Sequence, residues 1–276
     1  MSIRFLPAIL AASLLSAADE KTPLFPDPNL EAIVRSHVFA KRDNKEPLTV
    51  DDVKSLSGIS GRGKPIKTLA GLEKCAALMQ LDLPESEITD IAPLRELTNI
   101  QSLTLSRNKI KDISPLAGLT HLQYLELSGN QVSDLKPLSQ LTAMNSLYLS
   151  QNQITDLAPI AGLNRVWSLY IDGNQVSDLK PTAGLKWLST LDARRNKIKD
   201  VAPIAPLTSL KYLLLDGNPV SDIAPLVEMA KKDTEGEKRF APYWLVSLAG
   251  TPAAKSAKVT DLKKYSHTVT VTAPAK

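Results

Sequence analysis

The segment Ile100-Gln-Ser-Leu-Thr-Leu-Ser-Arg-Asn108-Lys-Ile-Lys-Asp112-Ile-Ser-Pro115-Leu-Ala-Gly-Leu119-Thr-His121 decides how the rest of the chain is read, because its pattern returns every 22 residues. Asn recurs at 108, 130, 152, 174, 196 and 218. Asp recurs at 90, 112, 134, 156, 178, 200 and 222, and Pro at 93, 115, 137, 159, 181, 203 and 225. Three residue types locked to one step define a repeat array. Seven units run from about Cys75 to Leu226. Their paired apolar residues are Leu81/Leu83, Leu103/Leu105, Leu125/Leu127, Leu147/Leu149, Leu169/Ile171, Leu191/Ala193 and Leu213/Leu215.

Each position has a physical reason. Alternation in L-x-L sends both leucines to one face of a short strand and the middle residue to the other. Stacked units then pair these strands into a parallel sheet at ~4.8 Å spacing. The ladder Asn108, Asn130, Asn152, Asn174, Asn196 and Asn218 closes the turn after each strand. An Asn amide serves backbone groups that neither helix nor sheet satisfies. The Asp is expected to accept backbone N–H groups as the next turn begins. The Pro presets φ for a tight, 3₁₀-like turn. Repetition also removes catalytic readings: Ser133-Asp134, Ser177-Asp178 and Ser221-Asp222 recur because the architecture needs them.

The unit fits the leucine-rich signature L-x-x-L-x-L-x-x-N-x-I. Cys75 stands 22 residues before Leu97, in the column of Leu119, Leu141, Leu163, Leu185 and Leu207, and reads as a small buried hydrophobe. Ser86 replaces the first Asn. Thr182 occupies a leucine position near Ala193, so the packing is expected to be thinnest there.

The flanks read as follows. Residues 1–18 resemble a secretory signal peptide: Arg4, the apolar run Phe5 to Leu15, then Ser16-Ala17-Ala18 with cleavage after Ala18. Residues 19–68 read as a helical N-terminal cap with one degenerate unit. Asp27-Pro28 caps a first helix carrying Leu30, Ile33, Val34 and Val38. Thr49 and Asp52 form a capping box for a second. Ile59, Ile66, Leu69 and Leu72 keep the register. The repeats occupy 69–226. Residues 227–276 read as a C-terminal cap with a last irregular unit. Within it, Val227 to Arg239 is expected to be a helical turn and loop, Trp244 to Thr251 a strand unit with Thr251 at the Asn place, Ala253 to Lys264 a short closing helix, and Thr268 to Thr272 an edge strand. Asn218 to Thr251 is 33 residues, so this unit carries an 11-residue insertion.

The unit Asn108-Lys-Ile-Lys-Asp-Ile-Ser-Pro-Leu-Ala-Gly-Leu119, with the front segments Phe25 to Leu30 and Leu48 to Asp52, resembles the 22-residue repeat and helical cap of the internalins and related bacterial secreted proteins. The resemblance spans roughly residues 24–226. It implies an α/β solenoid, a leucine-rich-repeat horseshoe with a parallel sheet on its concave face. Turns or 3₁₀ segments follow on the convex face, with a helical N-terminal cap and an α/β C-terminal cap. It further implies a surface that binds partners through the concave side. The sequence contains no L-P-x-T-G anchor and no terminal hydrophobic tail, so host invasion is not an expectation here.

The register gives the outward residues of each strand. Four of the six tyrosines fall on that face: Tyr124, Tyr148, Tyr170 and Tyr212. Exposed tyrosines supply rigid amphipathic contact area and are enriched at interfaces. Arg194, flanked by Asp172 and Asp216, forms with Arg195 and Asp192 a polar edge. These residues are the candidate site for a protein, peptide or glycan, centred on Tyr148 and Tyr170. The competing reading packs the tyrosines laterally to stabilise the sheet and pairs the arginines with their neighbours.

Composition narrows the classes further. With 33 Lys+Arg against 29 Asp+Glu, the net charge is only +4, and no basic run marks a nucleic-acid footprint. No segment approaches the ~20 apolar residues of a membrane span. A single Cys excludes an intramolecular disulfide. Gly58-Ile-Ser-Gly-Arg-Gly63-Lys64-Pro65 nearly matches a phosphate-binding loop, but Pro65 replaces the Ser/Thr that binds Mg²⁺, so it reads as a loop of the cap. His37, His121 and His267 lack metal-ligand spacing. One Asp per turn does not converge into a Ca²⁺ site. The expectation is therefore an exported, non-catalytic, monomeric binding module without metal or cofactor. An envelope-associated scaffold is the alternative.

Overall fold

The computed structural model describes residues 23–272. The signal-peptide reading of residues 1–18 falls outside them. Ten parallel strands form one open sheet in chain order: β1 (Gly58–Ser60), β2 (Gln80–Asp82), β3 (Ser102–Thr104), β4 (Tyr124–Glu126), β5 (Ser146–Tyr148), β6 (Ser168–Tyr170), β7 (Thr190–Asp192), β8 (Tyr212–Leu214), β9 (Leu245–Ser247) and β10 (Thr268–Thr270). The register follows the repeat, with Leu103 opposite Leu125 and Leu147 opposite Leu169. It jumps by the insertion at Leu213 opposite Val246.

Both leucines of each L-x-L are buried, and they stack along the solenoid with Cys75 and the other turn leucines as one continuous core. Burying such a side chain stabilises by about 1.5–3 kcal/mol, so the array draws its stability from contacts between neighbouring units. Thr182 and Ala193 are buried too, and the Thr182 hydroxyl donates to the Leu179 carbonyl at 2.7 Å.

The polar ladders hold the turns. Asn130 donates to the carbonyls of Leu105 and Leu127 at 2.9 Å each, and its Oδ1 accepts the Ile110 N–H at 3.0 Å, so one amide ties two units together. Each repeat Asp accepts the N–H two residues ahead, as Asp90 does from Ala92 at 2.8 Å. A Pro-containing 3₁₀ turn follows, such as Ala92–Leu94 or Ser114–Gly118. Ser86 makes none of the ladder bonds of an Asn and instead donates to the Lys64 carbonyl of the preceding unit at 2.7 Å.

At the N-terminal end, α1 (Pro28–His37) begins at Asp27, whose side chain accepts from Asn29 and Leu30, and buries Leu30, Ile33 and Val34. One further turn, α2 (Val50–Val53), carries the Thr49/Asp52 capping box. The phosphate-loop-like segment is not simply a loop, because Gly58–Ser60 is the first strand of the sheet and Ile59 is buried.

Two expectations for the C-terminal end are refined. The helical part of the stretch after Leu226 is longer than a single turn. It belongs to a twelve-residue helix, α3 (Ala224–Glu235), which starts on the repeat's own Pro225 and buries Leu226, Met229, Ala230 and Asp233. Where other units close after one turn, this one continues through Val, Glu, Met, Ala and Lys, residues that mostly favour helix. The Asp233 carboxylate then takes the N–H groups of Arg239, Phe240 and Ala241 at 3.0, 3.1 and 2.9 Å, folding the insertion back. The closing helix is split into a 3₁₀ turn (Pro252–Lys255) and α4 (Lys258–Tyr265), because Ser256 is extended. Thr251 donates to the Leu248 carbonyl at 2.7 Å, as Asn218 donates to Leu215 at 2.9 Å.

Candidate functional site

The outward face of the sheet brings three of the four tyrosines together. Tyr148 and Tyr170 lie opposite each other on β5 and β6. Their rings stack with centroids 4.6 Å apart and planes 12° apart. Tyr124, on β4, tilts onto Tyr148 at 5.2 Å. All three are half-buried against one another. Tyr212 stands apart on β8, 49% exposed, with β7 between it and the stack.

Along the polar edge both arginines pair with neighbouring carboxylates, as the competing reading has it. Arg194 takes neither of the flanking Asp172 and Asp216. Its guanidinium makes two hydrogen bonds, at 2.8 and 2.6 Å, to Asp192, two residues earlier on the same side of the chain. Arg195 has a left-handed backbone, φ 50°, and its side chain returns to the previous unit to clasp Asp172 through two bonds. Asp216 accepts the Ser247 hydroxyl and the Ala249 N–H at 2.6 Å each. Asp172 and Asp192 are thereby enclosed, their side chains 8% and 3% exposed.

Two features escaped the sequence reading. Trp167 is 57% exposed, and its indole N–H donates to the Ser146 hydroxyl at 2.8 Å. Ser146 and Tyr148 both lie on β5, so Trp167 extends the aromatic surface toward the strands' N-terminal edge. Trp187 is 69% exposed in the neighbouring unit. The register already placed both tryptophans just ahead of strands, outside the leucine columns, which was the available signal. The second feature is Glu126, half-buried on β4 beside Tyr148. Burial pushes its carboxyl above the usual range, and only partly do the Ser128 hydrogen bonds offset this. The Tyr124 phenol is pushed up to about 12, first by burial and then by the charges of Glu126, Tyr148 and Asp82.

No cluster of three or more His, Cys, Asp or Glu able to hold a metal occurs among the described residues. No described helix is long and apolar enough to cross a membrane. The site is an open aromatic and carboxylate surface on the sheet.

Comparison with known proteins agrees with this architecture. Leucine-rich-repeat family models match residues 76–132 and, as two copies, 120–163. No curated protein matches the chain. Among solved structures, internalin F of Listeria monocytogenes is 28% identical with a TM-score of 0.78, covering 90% of this chain and 69% of its own. A plant peptide hormone receptor, RGFR1, solved in complex with RGF2, shares the fold at 21% identity and a TM-score of 0.60, over 75% of this chain and 34% of its own. Internalin C2 of Listeria monocytogenes is 38% identical with a TM-score of 0.71, and the match covers 75% of this chain and 93% of that one. With that identity over nearly the whole of a solved internalin, the chain belongs to the internalin-like leucine-rich-repeat proteins.

Proposed function

We propose that this protein is an exported, non-catalytic binding module that holds a protein or peptide ligand on its concave face. The observation that carries the reading is the Tyr148–Tyr170 stack, extended by Tyr124 and flanked by exposed Trp167. Lateral packing alone does not need an exposed tryptophan beside the stack, whereas binding surfaces are rich in both residues. The solved complex of the plant receptor supports a peptide as a ligand type for this fold. Nucleic acid is a poor fit. The arginines along this side, Arg62, Arg107, Arg194 and Arg195, are all held by carboxylates. Tyr212 forms an outlying contact, and the Arg194 and Arg195 pairs stiffen the rim. Export rests on the N-terminal sequence, and N-terminal sequencing of the protein recovered from envelope and medium checks it.

The direct test is an affinity pull-down from the source cell's envelope and secreted fractions. Wild type is compared with a Tyr148→Ala/Tyr170→Ala variant shown by circular dichroism to keep its fold. A partner captured by the wild type and lost by the variant supports the reading. A partner held equally by both moves the site off the stack, and no partner at all leaves an envelope scaffold as the role.

A further inference from the structure

The concave face carries several carboxylates, and they are treated unequally. Asp192 and Asp172 each receive an arginine in two hydrogen bonds. Asp216 is satisfied by a hydroxyl and a backbone N–H. Glu126 is the exception. It is half-buried on β4 beside Tyr148, yet among the described residues its hydrogen bonds come from Ser128 alone, the N–H at 2.7 Å, and it has no ion-pair partner. Folding has taken this carboxylate partly out of water and supplies no cation in its place, and proteins ordinarily pair such a group. The nearby arginines are not available to it, because Arg62 and Arg107 both close on Glu85.

The surroundings suit one class of missing partner. The stacked rings of Tyr124, Tyr148 and Tyr170 beside the carboxylate carry no positive charge to offset it. Asp82, two strands away, makes no ion pair among the described residues, feels Arg62 only at longer range, and adds its charge to the same region. An anionic ligand would be repelled here, and a neutral one would cover Glu126 and leave it unpaired. A lysine or arginine has an aliphatic stem that lies on stacked rings and a charged end that reaches past them.

We infer that the partner presents a basic side chain to this site, its stem across the Tyr148–Tyr170 stack and its charge on Glu126. This rests on the concave face being the binding surface. It predicts that the protein recognises a cationic peptide segment and that neutralising either charge abolishes the preference.

The probe is a fluorescein-labelled nonapeptide of alternating lysine and serine, compared with the same peptide carrying Nε-acetyllysine, with binding read by fluorescence anisotropy. Wild type is expected to bind the lysine peptide at least about tenfold more tightly than its acetylated form, the loss that follows from removing one hydrogen bond to a charged group. Glu126→Gln keeps size and shape and is expected to bind the two peptides alike. Equal affinity of wild type for both peptides, absence of binding, or a preference surviving in Glu126→Gln overturns the inference. Its failure is distinct from failure of the concave-face reading. If the pulled-down partner is lost with Tyr148→Ala/Tyr170→Ala while the acetylated peptide binds as well as the lysine one, the surface stands and the cation does not. If the partner survives the double substitution, the surface itself is misplaced.

Discussion

Replacing Asn152 by Ala should cost about 2–4 kcal/mol, and the structure shows where the loss arises. The Asn152 amide makes four hydrogen bonds. Oδ1 accepts the Val132 N–H at 2.9 Å, and Nδ2 donates to the carbonyls of Leu127, Leu149 and Ser150 at 3.0, 3.1 and 3.2 Å. These are not equivalent. Leu127 still receives Asn130, Leu149 still receives Asn174, and Ser150 still receives the Gly129 N–H. The carbonyls are weakened, each by a fraction of about 1 kcal/mol. The buried Val132 N–H loses its acceptor outright, at about 1–3 kcal/mol. Ser86→Ala, which removes a single bond to Lys64, should cost only about 1 kcal/mol. Urea unfolding gives the stability change. Since long repeat arrays can depart from two-state behaviour, native-state hydrogen exchange at Val132 is the sharper readout. An Asn152→Ala protein that keeps Val132 as protected as wild type, or that loses no more than Ser86→Ala, would refute this account of the ladder.

Three other perturbations follow from named positions. Gly173 sits at φ 68° with only ordinary van der Waals space for a Cβ, so Gly173→Ala should cost about 1–2 kcal/mol from the left-handed backbone alone, and Gln151→Gly, at φ 56°, should recover a similar amount in a urea titration. The Cys75 thiol, pushed up to about 12 first by burial and then by Glu73, should resist a thiol reagent in the folded protein near pH 8 and react at once in denaturant; fast labelling of the folded state would contradict its place in the leucine column. Because the folded Glu126 carboxyl titrates above its unfolded value, the folded state binds more protons in that window and stability falls as pH rises through it. Thermal melts of wild type and Glu126→Gln should therefore coincide near about pH 4 and separate toward neutrality with the variant the more stable; parallel curves would show that Glu126 is not desolvated.

The repeat was legible in the sequence because each of its elements depends on short-range spacing. Leu103 and Leu105 share a face through the strand's period of two, and Asp112 reaches Ser114 within its own turn at 2.8 Å. The longer partnerships were not legible. Arg195 pairs with Asp172 of the previous unit from a left-handed backbone that an arginine does not itself announce; only its column-mates Gly129, Gly173 and Gly217 hint at it. The helix Ala224–Glu235 began on a proline that opens short turns in every other unit, so its length was set by what failed to stop it. In the sequence Glu126 is only the middle residue between Leu125 and Leu127. Its burial comes from neighbouring strands, and nothing local to Leu125 or Leu127 announces it.

The same contrast separates binding positions from architectural ones. Inward columns vary little, so only outward variation can distinguish one ligand from another. Some of that variation is itself periodic. The left-handed position before each ladder residue alternates: Arg107, Gly129, Gln151, Gly173, Arg195, Gly217. A Cβ on Gly129 would meet the Arg107 Cγ at 3.2 Å, and one on Gly217 the Arg195 Cγ at 3.4 Å. Each long stem thus lies across the bare backbone of the next unit, whereas Glu85 and Arg107, successive in the same column, both carry long side chains and meet as an ion pair at 3.1 Å. Variation of this kind is tied to contacts between neighbouring units, and it leaves Arg195 holding Asp172. The outward column Asp82, Thr104, Glu126, Tyr148, Tyr170, Asp192 has no such period. Nothing in the stacking of units requires two tyrosines in succession or a carboxylate without a cation beside them. A sequence constrained elsewhere by its repeat is free at those positions, and the proposed binding reading is that a partner's chemistry decided how that freedom was used.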